Sequence, residues 1–295
     1  MDIIFGKQIG YINYLIKGIK IRHFKKSSKE RFFYRTITNN KYSIYKWDLS
    51  SHEVYMTNSF TDWGNEYLFL DSLSNRNKEV FIDVGCHTGY YPSLFKNYFS
   101  KIIGFEPNTK SISTLKNLKI ENFEYFQNFV GDKNIQVNSI ISKEGWSFYE
   151  DNKINDTFQS EKLFQITLDN FYENKNIKNI SAIKIDIDGA DLKVLYGAKK
   201  IIEDNKPSIL IENYSSELFD FFNNLNYSFY SLVSNKSKPY NLTLEKLKFY
   251  DKSKWIKMVC CIPNEYSKNY DFEFFKGNMF TGINKTKLLN HFSIT

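Results

Sequence analysis

At 295 residues, 42% hydrophobic and 25% charged, the chain has room for one sizeable domain with an extension or for two small domains, and an ample core. Its net charge of +7 sits at one end: residues 1–50 hold eleven Lys or Arg against three acids, which leaves the remainder close to neutral. That argues against a specific nucleic-acid track through the rest of the chain. Three cysteines, Cys86, Cys260 and Cys261, form neither a metal nor a disulfide pattern, so a reducing, cytoplasmic setting is expected. No run approaches the ~18 apolar residues of a membrane span, and the N-terminus lacks a secretory pattern.

Residues 1–60 form a basic extension. Ile9, Ile12, Leu15, Ile16 and Ile19 recur at helical spacing, and a basic loop follows at His23–Arg31. Two readings fit: a helix packed on the domain beside a solvated loop, or a surface helix in weak peripheral contact with anionic lipid at the inner membrane surface or with a glycan-assembly complex. Asn39-Asn40 lies between two alternating segments and predicts a hairpin within 32–58. Residues 63–74 read as a helix, with Trp63 and Glu66 weighed as closing a cofactor pocket or, more simply, as core and surface residues.

Residues 61–295 are expected to form one α/β domain, a Rossmann-like, seven-stranded, mostly parallel sheet with helices on both faces. Val80–Val84 is an apolar run without alternation, the mark of a strand buried on both faces. It runs into Gly85-Cys86-His87-Thr88-Gly89-Tyr90, a tight turn opening a helix, and Lys101–Phe105 supplies the second strand before Glu106-Pro107. The spacing is Asp-x-Gly-x-x-x-Gly, not the Gly-x-Gly-x-x-Gly that seats a pyrophosphate. Asp83 suits an ammonium or sulfonium group better than a phosphate, and Glu106 is placed to hold a ribose diol. The combination points to S-adenosylmethionine, with NAD as the competing cofactor. Cofactor-binding candidates are Asp83, Gly85, Cys86, His87, Gly89, Tyr90, Glu106, Pro107, and, near the adenine, Asn128 and Phe129.

Pro107 fits the start of the next helix, Glu124–Asn128 a third strand, residues 135–165 one or two hairpins, and Thr167 or Asp169 a helix cap. Ala182–Asp188 reads as a buried strand ending in acids, followed by Gly189 and a helix to about Asp204. Pro207–Asn213 is a fifth strand ending at Glu212. Ligands bind outside the carboxyl ends of strands in such sheets, so Asp83, Glu106, Asp186 and Glu212 should line one crevice. Tyr227–Val233 and Trp255–Ile262 supply two more strands, the latter apolar enough to insert centrally. Residues 263–295 form a tail without a motif.

Phe81–Tyr91, Phe105-Glu106-Pro107, Ile183–Asp191 with Val194-Leu195 and Gly197-Ala198, and Pro207–Glu212 together resemble the FkbM-type S-adenosylmethionine-dependent methyltransferases. The resemblance spans about residues 63–262. Asp188 and Asp191 stand where that family usually has Glu, and Cys86-His87 where it often has Ala-Asn. It implies O-methylation of a hydroxyl on a sugar or glycan, as in polysaccharide biosynthesis, or on a similar metabolite. A non-catalytic binding module of glycan assembly and an RNA methyltransferase are the other classes considered.

An alcohol needs its proton taken before it attacks a methyl group. Asp186 is the first choice of base, His87 in the Gly loop the second, Glu212 the third. Each also has a plain structural role available: helix capping, a loop histidine, or orientation of Asp186 or Lys184. Asp186 with Glu212 and Asn213 also resembles a loose Mg²⁺ ligand set of catechol-type O-methyltransferases; no metal ligand is assigned.

Overall fold

The structure, a computed structural model, describes residues 3–36, 38–141, 147–149, 160–236 and 242–267. The chain divides into two compact units, one of residues 1–76 with 214–295 and one of residues 77–213.

The first unit opens with α1 (Ile3–Ile9) and α2 (Tyr11–Lys26), which runs on through His23–Lys26, the first part of the stretch expected to be a basic loop. The predicted hairpin forms as β1 (Arg31–Arg35) and β2 (Lys41–Tyr45), antiparallel with Arg35 opposite Lys41. Then come α3 (Leu49–Met56), capped by Asp48 accepting from Ser50 N–H, and α4 (Asn65–Asp71), buried along its whole length.

Residues 77–213 contain β3 (Val80–Val84), α5 (Tyr90–Phe95), β4 (Lys101–Phe105), α6 (Thr109–Leu115) and β5 (Phe123–Phe126). A small sheet follows: β6 (Phe129–Val130), β7 (Ile135–Ile141), β8 (Ser147–Tyr149) and β9 (Ser160–Ile166). The unit closes with α7 (Leu168–Lys175), β10 (Ile180–Ile185), α8 (Asp191–Tyr196), α9 (Lys199–Asn205) and β11 (Ser208–Ile211). Strands β11, β10, β3, β4 and β5 lie side by side in that order, all parallel. Every residue of β3, β10 and β11 is buried, as expected for mostly apolar runs without polar alternation.

Several local expectations shift by a residue or split. Asn108, not Pro107, caps α6, its Oδ1 accepting from Lys110 and Ser111 N–H. The helix expected to reach Asp204 is two helices, α8 and α9, the second capped from outside by Asp169 accepting from Lys200 and Ile201 N–H. Hairpin pairing within 135–165 is present as β7 with β8 and with β9; residues 142–146 and 150–159 lie outside the described part.

The first unit resumes with α10 (Ser216–Phe222), β12 (Tyr227–Asn235), β13 (Leu242–Leu247), β14 (Lys254–Ile256), β15 (Val259–Pro263) and α11 (Asn264–Ser267). The seven-strand expectation is met differently here: β13 is an additional strand, and the run Trp255–Ile262 is divided into β14 and β15. All three pair antiparallel with β12. The tail from residue 268 lies outside the described residues. Residues 49–71 are tied to these late strands. Asn65 Oδ1 accepts from Leu232 N–H (2.9 Å), and Lys257 Nζ reaches Glu53 Oε1 (2.8 Å) and Thr61 O. Glu66 is buried in the same region and turns back on its own loop, accepting from Asp62 and Gly64 N–H, and Trp63 adopts φ 60° beside it. Among the described residues no helix is long and apolar enough to cross a membrane.

Candidate functional site at the carboxyl edge of the parallel sheet

Parallel register sets the site. Ile211, Ile185, Val84, Phe105 and Phe126 are aligned across β11, β10, β3, β4 and β5. The residue after each is therefore Glu212, Asp186, Gly85, Glu106 and Gln127, one row across five neighbouring strands. Backbone bonds continue the ladder through that row: Glu212 N–H to Ile185 O, Asp186 N–H to Val84 O, Gly85 N–H to Phe105 O, Glu106 N–H to Phe126 O. Three of the four predicted acids thus share the edge; Asp83 sits one layer inside.

Asp83 is wholly buried and faces Lys184, its register partner on β10. The Lys184 ammonium lies 3.3 Å from Asp83 Oδ1 and 3.3 Å from Asp186 Oδ2, and donates to Gly85 O at 2.9 Å. At that length and alignment the Asp83 contact is an ion pair and not a hydrogen bond, which leaves both carboxylate oxygens without a hydrogen-bond donor. Burial raises the Asp83 carboxyl to about 6, against the lowering pull of Lys184. The cation beside Asp83 is thus a residue of the chain, where the sequence suggested a ligand. Lys184 also lies 5.2 Å from the centre of the Tyr91 ring. Sequence reading passed over Lys184 as a site residue, although a lone lysine inside an apolar strand is a signal for an internal charge partner.

Gly85 stands at φ 79°, and a Cβ there would strike the Asp186 carbonyl. Its absence lets β3 and β10 close at the edge. Gly89, at φ 81°, caps α5 and would meet Leu118 and Leu115 of the α6 region, consistent with a helix-packing glycine. Between them Cys86 is buried against Ile112 and Leu115, with its thiol pushed up by burial, so its side chain belongs to the core. Tyr90 begins α5, nearly buried, with its ring edge-on to Tyr91 at 5.3 Å.

Glu106 is held by two backbone donors, His87 N–H to Oε2 (2.9 Å) and Asn108 N–H to Oε1 (2.8 Å). Each oxygen keeps a second lone pair, the capacity a vicinal diol calls for. Burial raises its carboxyl above the ordinary range, opposed by His87 and the two N–H donors. His87, at φ 46°, presents its ring to α6, with Nδ1 3.3 Å from Ser111 Oγ. His87 reaches Glu106 and α6, and Asp186 reaches Lys184. Pro107 O accepts from Gln127 Nε2, which also reaches Thr109 Oγ1 at 2.8 Å, so Gln127 straps the loop after Glu106. Asn128 Nδ2 donates to Phe164 O and Phe129 opens β6, which anchors the small sheet.

Asp186 and Glu212 form the reactive end of the row. The Glu212 carboxyl is raised to about 8 by partial burial, by the negative charge of Asp186, and by donating a hydrogen bond to it. Glu212 as a residue is exposed, so the Asp186 contact is the firmer of these causes. The Asp186 side chain is itself 35% exposed. Two adjacent carboxyls resist ionising together, which is the physical reason the Glu212 carboxyl is raised. Asp191 is buried and accepts from Ile187 N–H at 3.3 Å, stabilising the turn that carries Asp188 at φ 52°. The cation at Asp186 is again Lys184; among the described residues no three His, Cys, Asp or Glu gather as a metal site.

Comparison with known proteins agrees with these features. Residues 83–229 match the family described as the methyltransferase FkbM domain. Among solved structures, methyltransferase FkbM from Methylobacillus flagellatus KT is 16% identical at a TM-score of 0.41, over 72% of this chain and 54% of that one. The chain thus spans about half the length of that protein. A precorrin-6y C5,15-methyltransferase from Geobacter metallireducens GS-15 is 9% identical at 0.37, over 67% and 86%. A Streptococcus mutans protein solved in complex with SAH is 14% identical at 0.36, over 66% and 97%. At such scores these likenesses carry no argument of their own. No curated protein matches the chain. The matched residues take in the Gly loop, Glu106, the Lys184–Asp191 segment and Glu212, and the chain belongs to the FkbM-type methyltransferases.

Proposed function

We propose that the chain is an S-adenosylmethionine-dependent O-methyltransferase acting on a hydroxyl of a sugar or glycan, or of a similar metabolite. The observation that carries this reading is the Asp186–Glu212 pair, two carboxylic side chains on neighbouring strand ends, open to solvent and on the same row as Glu106. S-adenosylmethionine fits the row: the spare lone pairs of Glu106 match a ribose diol, and the loop Gly85–Gly89 borders it. When bound, that cofactor supplies an electrophilic methyl group on sulfonium.

The protein's own part is to hold the acceptor and take its proton. With its carboxyl raised to about 8, Glu212 holds its proton near neutrality, and Asp186, beside it on the row and partly open to solvent, is the group that accepts from a hydroxyl. Lys184, fixed from below by Asp83 and Gly85 O, holds Asp186 in place. Three free, buried cysteines fit a reducing cytoplasm.

Calorimetric titration with S-adenosylmethionine and its demethylated product, followed by mass-spectrometric screening of nucleotide sugars and glycans for added methyl groups, tests this. Cofactor binding with methylated hydroxyl products is the expected result. A native chain that binds neither cofactor form would end the methyltransferase reading and leave a binding module.

A further inference from the structure

Helix α2 is inverted relative to a helix that merely packs on its domain. Lys17 is on its inward face: Nζ donates to Tyr55 O (2.6 Å) and Asn58 Oδ1 (2.8 Å) and lies 4.4 Å from the centre of the Tyr55 ring and 5.0 Å from that of Tyr34. Ile21 and Phe24 complete that face, and Phe24 meets Phe32 edge-on at 4.8 Å. The aliphatic residues point the other way. Ile12 is 76% exposed, Leu15 57%, Ile16 47% and Ile19 59%. Their spacing of i, i+3, i+4 and i+7 makes one stripe, opposite Lys17 at 3.6 residues per turn. The same side continues C-terminally into Arg22, His23 and Lys26, all exposed.

Charge singles out the partner. Residues 3–29 contain seven Lys or Arg and no acid, and six of those cations remain after Lys17 is taken inside. A surface that is aliphatic for two turns and cationic for the next two suits an interface with apolar depth and negative headgroups. A polynucleotide would use the cations with aromatic stacking and would gain nothing from isoleucines.

We propose that α2 docks the protein onto an anionic lipid surface, with Ile12, Leu15, Ile16 and Ile19 entering the headgroup boundary and Arg22, His23 and Lys26 meeting lipid phosphates. Lys17 serves this by its burial: tethered to Tyr55 and Asn58, it fixes the rotation of the helix so that the stripe faces out. Both components are required, so binding needs acidic lipid, weakens with salt and depends on the stripe.

The test is vesicle co-sedimentation of the full chain, using phosphatidylcholine alone and phosphatidylcholine with phosphatidylglycerol, at low and high salt. Native protein should bind the acidic vesicles, bind neutral ones poorly, and lose binding as salt rises. The exposed substitutions Ile12→Glu with Ile16→Glu should weaken acidic-vesicle binding at least about tenfold. Their unfolding midpoint should match the native one, since neither site is packed. Failure of the native chain to bind acidic vesicles, or equal binding by the substituted chain, overturns the proposal. Self-association abolished by those substitutions in the absence of vesicle binding also overturns it, in favour of a second copy as the occupant.

Discussion

Lys184 and Asp83 are register partners on adjacent parallel strands, and their charged groups lie 3.3 Å apart with the side chains almost entirely buried. The pair underlies the site, because the same ammonium reaches Asp186 at 3.3 Å and Gly85 O at 2.9 Å. Removing one member of a buried pair strands the other charge in low dielectric. Lys184→Met should therefore lower unfolding stability by about 3–5 kcal/mol in urea denaturation. Adding Asp83→Asn to it should recover part of that loss; a double variant as weak as the sum of the two singles would contradict the pairing.

Gly85→Ala tests the close approach at the sheet edge. Both the positive φ and the Asp186 carbonyl oppose a methyl group there. The variant should lose about 2–4 kcal/mol of stability, well above an ordinary surface change, and differential scanning calorimetry reads it directly. A midpoint within a degree or so of native would show that the edge yields more easily than its geometry implies.

Glu106 and Asp186 should separate binding from chemistry. Glu106→Gln puts an amide N–H against a backbone donor and removes charge from the diol position, so S-adenosylmethionine affinity should fall about tenfold or more in calorimetry. Asp186→Asn keeps size and surroundings but cannot take a proton. It should leave cofactor affinity within about twofold while lowering the methyl-transfer rate by about 10²–10⁴. Equal losses of affinity in both variants would place Asp186 in cofactor binding and leave the base elsewhere.

The Glu212 carboxyl gives a pH signature. Its folded value of about 8 lies above the ordinary 4.5, so the folded state holds a proton that the unfolded chain lacks between those values. Its contribution is fully present on the acid side of that window and is lost as pH rises through about 8. Glu212→Gln should accordingly stabilise the protein at about pH 9 and change little at about pH 5. The gain should be about 1 kcal/mol or less, because an exposed group is screened by solvent. Thermal melts at the two pH values check this, and an equal shift at both would contradict the raised Glu212 carboxyl.

The sequence by itself determined the parallel unit and its chemistry. Mostly apolar, non-alternating runs ending at Phe105, Ile185 and Ile211 suit a sheet covered on both faces, and the acid after each run then falls at its carboxyl edge. That made Glu106, Asp186 and Glu212 legible as neighbours from residues far apart in the chain. Only the tertiary structure decided which partner each charge takes. Asp83 faces Lys184, Glu106 accepts from two backbone amides, and the Glu212 carboxyl is raised beside Asp186. Side-chain partners depend on register and burial, which a single strand's pattern does not contain. The same reason explains α2: helical spacing marks an aliphatic face but not which way it turns, and it is the fit of Lys17 between Tyr34, Tyr55 and Asn58 that turns the isoleucines outward.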